Sequence, residues 1–501
     1  MAPRRLLAAA VALGTVLVAC GSRADLDLIE DAREAELAVN VGSAVSQPSG
    51  GGSANPGDAA PGAVDTNGPA VAPTAGPAPG ADGVGQPGAA PTTGPGQPGT
   101  TVGAVDTRFA PPEGNGGATD VGVTEDEIVI GNVADITGAV AGLFADVQKA
   151  AQAFVLYFES TEGTIFGRRI RLVLHDTALT RNGNFTAYTQ LCETALMAVA
   201  SMSAFDEGIE EPVRDCPGGG FPDLRTVVTN PAVATLPTMY SGDAVGKYQQ
   251  PMSEYLYWGE AFPEAVKSGA WVYVDNNTTR EQTAQVMRAT RQVGWTWKGN
   301  HPVDLAAISY KTEIRAMKDN DVRLVAFTGA YQQAAKLARE MVEESFSPDV
   351  YILQANVYDP RLIAEGGANL EQFPVQIAAI GTLVEEIEHS PELQLYREWL
   401  KFIDPEAEPT GLGMYAWSAT RLAIKLLKQI GPNVTRARML DALSQVEGWT
   451  SNDLVPAQDV GARNPADCTI TLQIVAGAFR RVHPAEPGTF NCRDTVLDAS
   501  P

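Results

Sequence analysis

The stretch EIVIGNVADITGAVAGLFADVQKAAQAFVLYF, residues Glu127–Phe158, decides how the chain is read. It opens on consecutive β-branched residues, Ile128, Val129 and Ile130, the pattern of a buried strand. A polar turn containing glycine follows, from Asn132 to Gly138. Beyond it, Phe144, Val147, Ala151, Phe154, Val155 and Phe158 recur at spacings of three, four and seven, which is one apolar face of a helix. Strand, turn and helix in this order begin a parallel α/β unit. In open α/β sheets ligands bind at the carboxyl ends of the strands, so the turn Asp135–Phe144 is the first candidate site.

The same alternation continues outward. Strands are expected over Arg168–Thr177, Ala198–Ser201 and Arg225–Asn230, with a helix over Phe185–Leu196, and the segment Ala232–Glu260 reads as irregular and rich in aromatics. A second series begins at Gly269, with strands at Ala270–Val274, Val303–Ile308, Val322–Phe327, Val350–Gln354 and Val375–Ile380. Thr278-Thr279-Arg280-Glu281 reads as a capping box opening the helix that ends at Gly294. Helices at Pro391–Phe402, Gly413–Ile430 and Thr435–Val446 precede a closing β-pair, Thr469–Val475 and Ala478–Val482.

Before the folded part the composition changes. From Val41 to about Gly117 nearly every residue is Gly, Pro, Ala, Ser or Thr. Such a stretch cannot bury enough apolar surface to offset its conformational entropy and is expected to act as a disordered tether spanning about 50 Å on average. At the start, Arg4 and Arg5 precede the apolar run Leu6–Val18, the layout of a signal peptide. Leu17-Val18-Ala19-Cys20 resembles the lipobox of bacterial lipoproteins, which implies cleavage before Cys20 and its lipidation. The remaining four cysteines allow three pairings. Sequence proximity favours Cys192–Cys216 and Cys468–Cys492, and an exported protein can keep disulfides. A net charge of −24 argues against nucleic acid.

Two successive α/β lobes behind a long tether resemble the type I periplasmic substrate-binding proteins, in particular the branched-chain amino acid receptors of ABC transporters. Ile128-Val129-Ile130-Gly131 with Thr137-Gly138 is similar to the family's opening strand and turn. Leu324 to Tyr331, LVAFTGAY, is similar to its second-lobe turn, and Leu412 to Ala419, LGMYAWSA, to the aromatic helix that returns to the first lobe. The resemblance implies two doubly wound α/β lobes joined by three crossovers, with a ligand cleft between them. The expected division is a lipoprotein signal peptide (1–19), a lipid-anchored tether (20–118), lobe one (119–258, returning at about 383–455) and lobe two (259–382, returning at about 456–501).

By the same resemblance, ligand contacts fall on Thr137, Gly138, Leu143 and Phe144; on Ser201, Ser203, Ala204 and Phe205; on Thr229 and Asn230; and in lobe two on Tyr331, Asn356, Tyr358 and Asp359. Hydroxyls and backbone N–H groups there can replace the hydrogen bonds a polar ligand loses on leaving water, while Tyr331 or Phe144 can cover its apolar part. Plain structural roles compete: Thr137 as a helix cap, Phe144 as core, Ser201 and Ser203 as loop partners, Tyr331 as lobe packing, Asp206 and Asp359 as solvated charges. Amino-acid-binding members pair the ligand's ammonium with a second-lobe acid. Here that place reads Gln354-Ala355-Asn356, with Asp359 offset, a departure that weighs against an amino acid ligand.

No GxSxG elbow and no HExxH occurs, and the four histidines lack metal-ligand spacing. Gly242–Lys247 approaches a phosphate-binding loop but is one residue short, with Tyr248 where Ser or Thr belongs. The sequence therefore predicts neither an enzyme nor a cofactor or metal. It predicts a receptor on the extracytoplasmic face of the membrane, anchored through Cys20, that delivers a small polar or amino-acid-like ligand to an ABC permease. A tethered sensor or envelope-interaction protein is the alternative.

Overall fold

The computed structural model describes residues 114–228, 230–243 and 248–501. Cys20, the signal peptide, the tether up to residue 113 and Thr229 lie outside the described residues.

β1 (Glu127–Ala134) is buried along almost its whole length, as a strand covered on both faces must be. α1 (Ala145–Thr161) turns Val147, Ala151, Phe154, Val155 and Phe158 inward. The first series continues with β2 (Arg169–Asp176), α2 (Arg181–Thr194), β3 (Met197–Val199), α3 (Glu210–Arg214), β4 (Asp223–Val227), α4 (Pro231–Ala234) and β5 (Met239–Asp243). Its strands form a parallel sheet in the order β2-β1-β3-β4-β5.

β6 (Gln249–Pro251) and α5 (Ser253–Ala261) lead into the second series. This comprises β7 (Gly269–Val274), α6 (Asn277–Gln292), β8 (Trp297–Val303), α7 (Lys311–Asp319), β9 (Leu324–Thr328), α8 (Tyr331–Glu343), β10 (Val350–Leu353), α9 (Pro360–Gly366) and β11 (Val375–Ala379). The chain then returns to lobe one as α10 (Pro391–Ile403), α11 (Gly411–Ile430) and α12 (Arg436–Ser444). It ends on lobe two as β12 (Cys468–Val475), β13 (Ala478–His483), β14 (Asn491–Cys492) and β15 (Val496–Asp498). The second sheet runs β13-β12-β11-β10-β9-β7-β8, with β12 and β13 antiparallel at one edge. The chain thus passes between the lobes three times, after β5, β11 and α12.

Both sheets grow outward in opposite directions from their first strand, at β1/β3 and at β7/β9. Crevices open at the carboxyl ends of strands at such reversals, so each lobe brings one to the interface.

The returning helices close lobe one. α11 is buried almost all round. Its Trp417 packs edge-on against Phe154, ring centroids 4.8 Å apart, and tilted on Tyr396 at 5.1 Å, while its Nε1 donates to Glu392 Oε1 (2.6 Å). Burial of each such side chain contributes about 1.5–3 kcal/mol. The disulfides are Cys192–Cys216 and Cys468–Cys492, the pairing that sequence proximity favours. A closed loop of this size contributes about 3 kcal/mol in the chain-entropy account.

Three local expectations are corrected. The stretch read as irregular holds β5, β6 and α5. Met252, Tyr255 and Trp258 in it pack with Trp271, Trp295 and Ile352 of the second series. The capping box is Asn276 with Thr279: the Thr279 N–H donates to Asn276 Oδ1 (2.9 Å) and the Asn276 N–H to Thr279 Oγ1 (3.3 Å). The strand expected at Val303–Ile308 lies earlier, at Trp297–Val303. This edge strand alternates exposed polar and half-buried residues and carries Pro302, a composition confined to edges that a search for apolar runs passes over.

Candidate functional site

The two crevices meet in one cavity of about 230 Å³ between the lobes. Lobe one supplies Val140, Leu143 and Phe144 from the turn after β1, Met202 to Phe205 after β3, and Val227 and Asp243 from the ends of β4 and β5. Lobe two supplies Val274 and Asn276 after β7, Thr328 to Ala330 after β9, and Gln354 to Asn356 after β10. α5 contributes Glu254, Tyr255 and Trp258. The wall is mostly apolar, and the described lining residues include no lysine, arginine or histidine.

Of the residues singled out in the sequence, Phe144, Ser203, Phe205 and Asn356 line the cavity, with Leu143 and Ala204 beside them. The others do not. Thr137 is exposed and donates from Oγ1 to Asp176 Oδ2 (2.5 Å). Gly138 sits at a φ of 114°, and a Cβ there would meet the Ala178 carbonyl oxygen at 2.6 Å; its reason is the turn. Ser201 is fully buried and accepts from the Val133 N–H (3.2 Å). Asn230 caps α4 by accepting from the Ala232 N–H (2.9 Å) and reaches across the interface, its Nδ2 donating to Thr278 Oγ1 (3.3 Å).

Tyr331, expected as the covering aromatic, opens α8 but turns away from the cavity. Its ring lies 4.9 Å from the Arg361 guanidinium. Arg361 in turn bridges the lobes, its Nη2 2.5 Å from Asp146 Oδ2 on α1. Tyr358 is buried, donating to Glu385 and accepting from the Val384 N–H (2.8 Å). Asp359 is not a solvated charge: it is buried, caps α9 and pairs with Arg361. Asp206 is likewise buried, against Arg225 at 2.5 Å.

The electrostatics come from residues the sequence reading passed over. Asp135 is fully buried. Its carboxylate accepts from Thr177 Oγ1, from Ser203 Oγ (2.9 Å) and from the Ala204 N–H (2.7 Å). Burial pushes its carboxyl up, against the pull of those hydrogen bonds. Desolvation raises Asp243 to about 6 and Glu254 to about 8, the charges of Asp467 and then Asp243 adding to the latter. Glu254 Oε2 is shut off from solvent without a hydrogen-bond partner. In the sequence Glu254 looks like an ordinary first-turn acid of a helix, and Asp243 the end of an irregular stretch. Asp135 stands in the opening turn, where attention went to the hydroxyls.

Among the described residues no group of three or more His, Cys, Asp or Glu could hold a metal ion, and no helix is long and apolar enough to cross a membrane.

Residues 127–472 match the family described as periplasmic binding protein. No curated protein matches the chain in sequence. Solved structures share the fold at low identity. A leucine-binding protein from Thermotoga maritima is 13% identical, with a TM-score of 0.59, over 71% of this chain and 97% of that one. A fatty acid ABC transporter substrate-binding protein from Thermomonospora curvata is 17% identical, with a TM-score of 0.61, over 74% and 98%. A branched-chain amino acid transporter substrate-binding protein from Streptococcus pneumoniae, in complex with isoleucine, is 15% identical, with a TM-score of 0.59, over 72% and 100%.

Proposed function

The chain belongs to the periplasmic binding protein family, and from that premise we propose an extracytoplasmic receptor that captures a small ligand between its lobes for an ABC permease. One observation carries the reading: a single cavity walled by the carboxyl ends of strands from both sheets. A ligand held there touches both lobes, so it binds the closed arrangement better than an open one. That difference in affinity is what shifts a hinge equilibrium. Contacts that join the lobes beside the cavity include Asn230 with Thr278, Arg361 with Asp146, and the Gly411 N–H with the Tyr358 carbonyl (3.4 Å). The Arg361 pair is partly exposed and contributes little by itself. Solved neighbours carry the names of a fatty acid ABC transporter substrate-binding protein and a branched-chain amino acid transporter substrate-binding protein, which supports delivery to a permease.

The ligand test is a thermal-shift screen of the folded protein against amino acids, amides, ureas, amines, short peptides and aromatic acids. A ligand present at 100 times its dissociation constant is expected to stabilise the protein by about 2.7 kcal/mol. Silence across every class removes the receptor reading in favour of an interaction protein on the same fold.

The anchor is a separate part of the proposal. Leu17-Val18-Ala19-Cys20 supports lipidation at Cys20, and a diacylated cysteine gives stable attachment. Cys20→Ser is expected to move the protein from the membrane to the soluble fraction. Retention of the variant in membranes at the wild-type level refutes the anchor.

A further inference from the structure

We propose that the cleft takes a ligand with a positively charged nitrogen head group, an amine or amidine on an apolar body, seated at Asp243 and Glu254. This rests on the receptor reading and narrows it to a ligand class.

The first argument is the charge of the wall. Asp243 and Glu254 both line the cavity, and no cationic side chain among the described lining residues answers them. Neither carboxyl has an ion-pair partner within the described residues. One oxygen of Glu254 has neither solvent nor a hydrogen-bond donor. Buried carboxyl groups left this way cost free energy unless a partner arrives, and an incoming N–H⁺ group is such a partner. The empty protein compensates in the other available manner, by holding on to protons.

Second, two of the donors at the cavity wall are already engaged. A ligand carboxylate needs hydrogen-bond donors or a cation. The hydroxyl of Ser203 and the N–H of Ala204, which sit at the cavity wall, are already spent on the carboxylate of Asp135. The carboxylate of Asp135, itself outside the lining, thus holds two donors that a ligand would otherwise meet. A fatty acid, or the carboxylate end of an amino acid, would enter a cleft whose fixed charges among the described lining residues are all of its own sign.

The third argument is the remainder of the wall. Phe144, Phe205 and Trp258 stand among aliphatic side chains, a surface suited to an alkyl or aryl body. Aromatic faces also attract a cation.

The test holds the ligand body constant and changes its head. Isoamylamine, isovaleramide, isovalerate and leucine share one branched alkyl body; 2-phenylethylamine, phenylacetamide, phenylacetate and phenylalanine share one aryl body. Binding of each to the full chain is measured by calorimetry, for wild type and for Glu254→Gln and Asp243→Asn, with circular dichroism confirming that both variants fold. The amines are expected to bind, and the carboxylates and amino acids not. Each variant is expected to weaken amine binding by about tenfold to a hundredfold, the range for a hydrogen bond to a charged group. Preferred binding of carboxylates or amino acids, or amine affinity unchanged in both variants, overturns the ligand class and leaves the receptor standing. So does a ligand from the wider screen that lacks a basic nitrogen. If neither the matched series nor the wider screen yields a binder, both readings fall.

Discussion

Arg225→Met is expected to cost the folded protein about 3–5 kcal/mol, the usual loss when one member of a buried ion pair is removed. The guanidinium of Arg225 is 1% exposed, 2.5 Å from Asp206 and 3.7 Å from Asp223. It also donates to the Tyr188 hydroxyl, which donates in turn to Asp223 Oδ2 (2.5 Å). Methionine fills much of the apolar stem's space but carries no charge, so two buried carboxyls lose their counter-ion together. Desolvation already raises both, Asp206 to about 6, with Arg225 opposing it. Without Arg225 their folded pKa values rise further above the unfolded ones, so the variant binds more protons folded than unfolded. Its deficit must therefore grow as pH rises and shrink on acidification. Urea unfolding of both proteins at pH 5 and pH 8 reads this directly. A deficit below about 1 kcal/mol at pH 8 would mean that packing, not this network, holds that side of lobe one.

The second large effect lies in the cleft and has the opposite sign. Burial holds the Glu254 carboxyl at about 8 against an ordinary 4.5. Between those values the folded, ligand-free protein keeps a proton that the unfolded chain has released. Stability is therefore present in full below about 4.5 and is lost as pH climbs toward 8. At 1.36 kcal/mol per pKa unit the loss from this group is on the order of 3–5 kcal/mol. Asp243 adds to it at lower pH, between 3.8 and about 6. Glu254→Gln cannot ionise, so the variant is expected to be more stable than wild type at pH 8 and similar to it at pH 5. Denaturant midpoints of the ligand-free proteins at pH 5, 6.5 and 8 check this. A wild type whose stability holds level or rises over that range would refute it. The gain in stability would accompany a loss of binding, as expected where a site keeps groups uncomfortable until ligand arrives.

The fold was legible because its signals are local and repeated. Ile128–Ile130 followed by Gly138 and the Phe144–Phe158 stripe can hardly be anything but a strand, a turn and a helix. Two such series in succession give the two sheets. Where the reading slipped, as at Trp297–Val303, an edge strand lacked the apolar run that marks a central one. The site was legible only in part. Phe144, Ser203, Phe205 and Asn356 reach the cavity because strand ends do so by topology. Thr137, Ser201, Tyr358 and Asp359 stand at equally suitable positions in the chain, yet their side chains serve turns, caps and the core. Which way a residue faces depends on packing between segments far apart in sequence. Glu254 and Asp243 were hidden for the same reason: in a chain with 60 acidic residues, what sets these two apart is a place in the cavity wall.

The seat filled by Asp135 has an evolutionary consequence. Thr177, Ser203 and Ala204 converge on a carboxylate that the chain supplies from its own opening turn. Shortening that one side chain to alanine would leave the same three donors in place with nothing to bind, and an anion from outside could then take their hydrogen bonds. Asp243 and Glu254 would still stand in the wall, so reversing the preferred sign of charge takes changes at these three positions, without rebuilding either lobe.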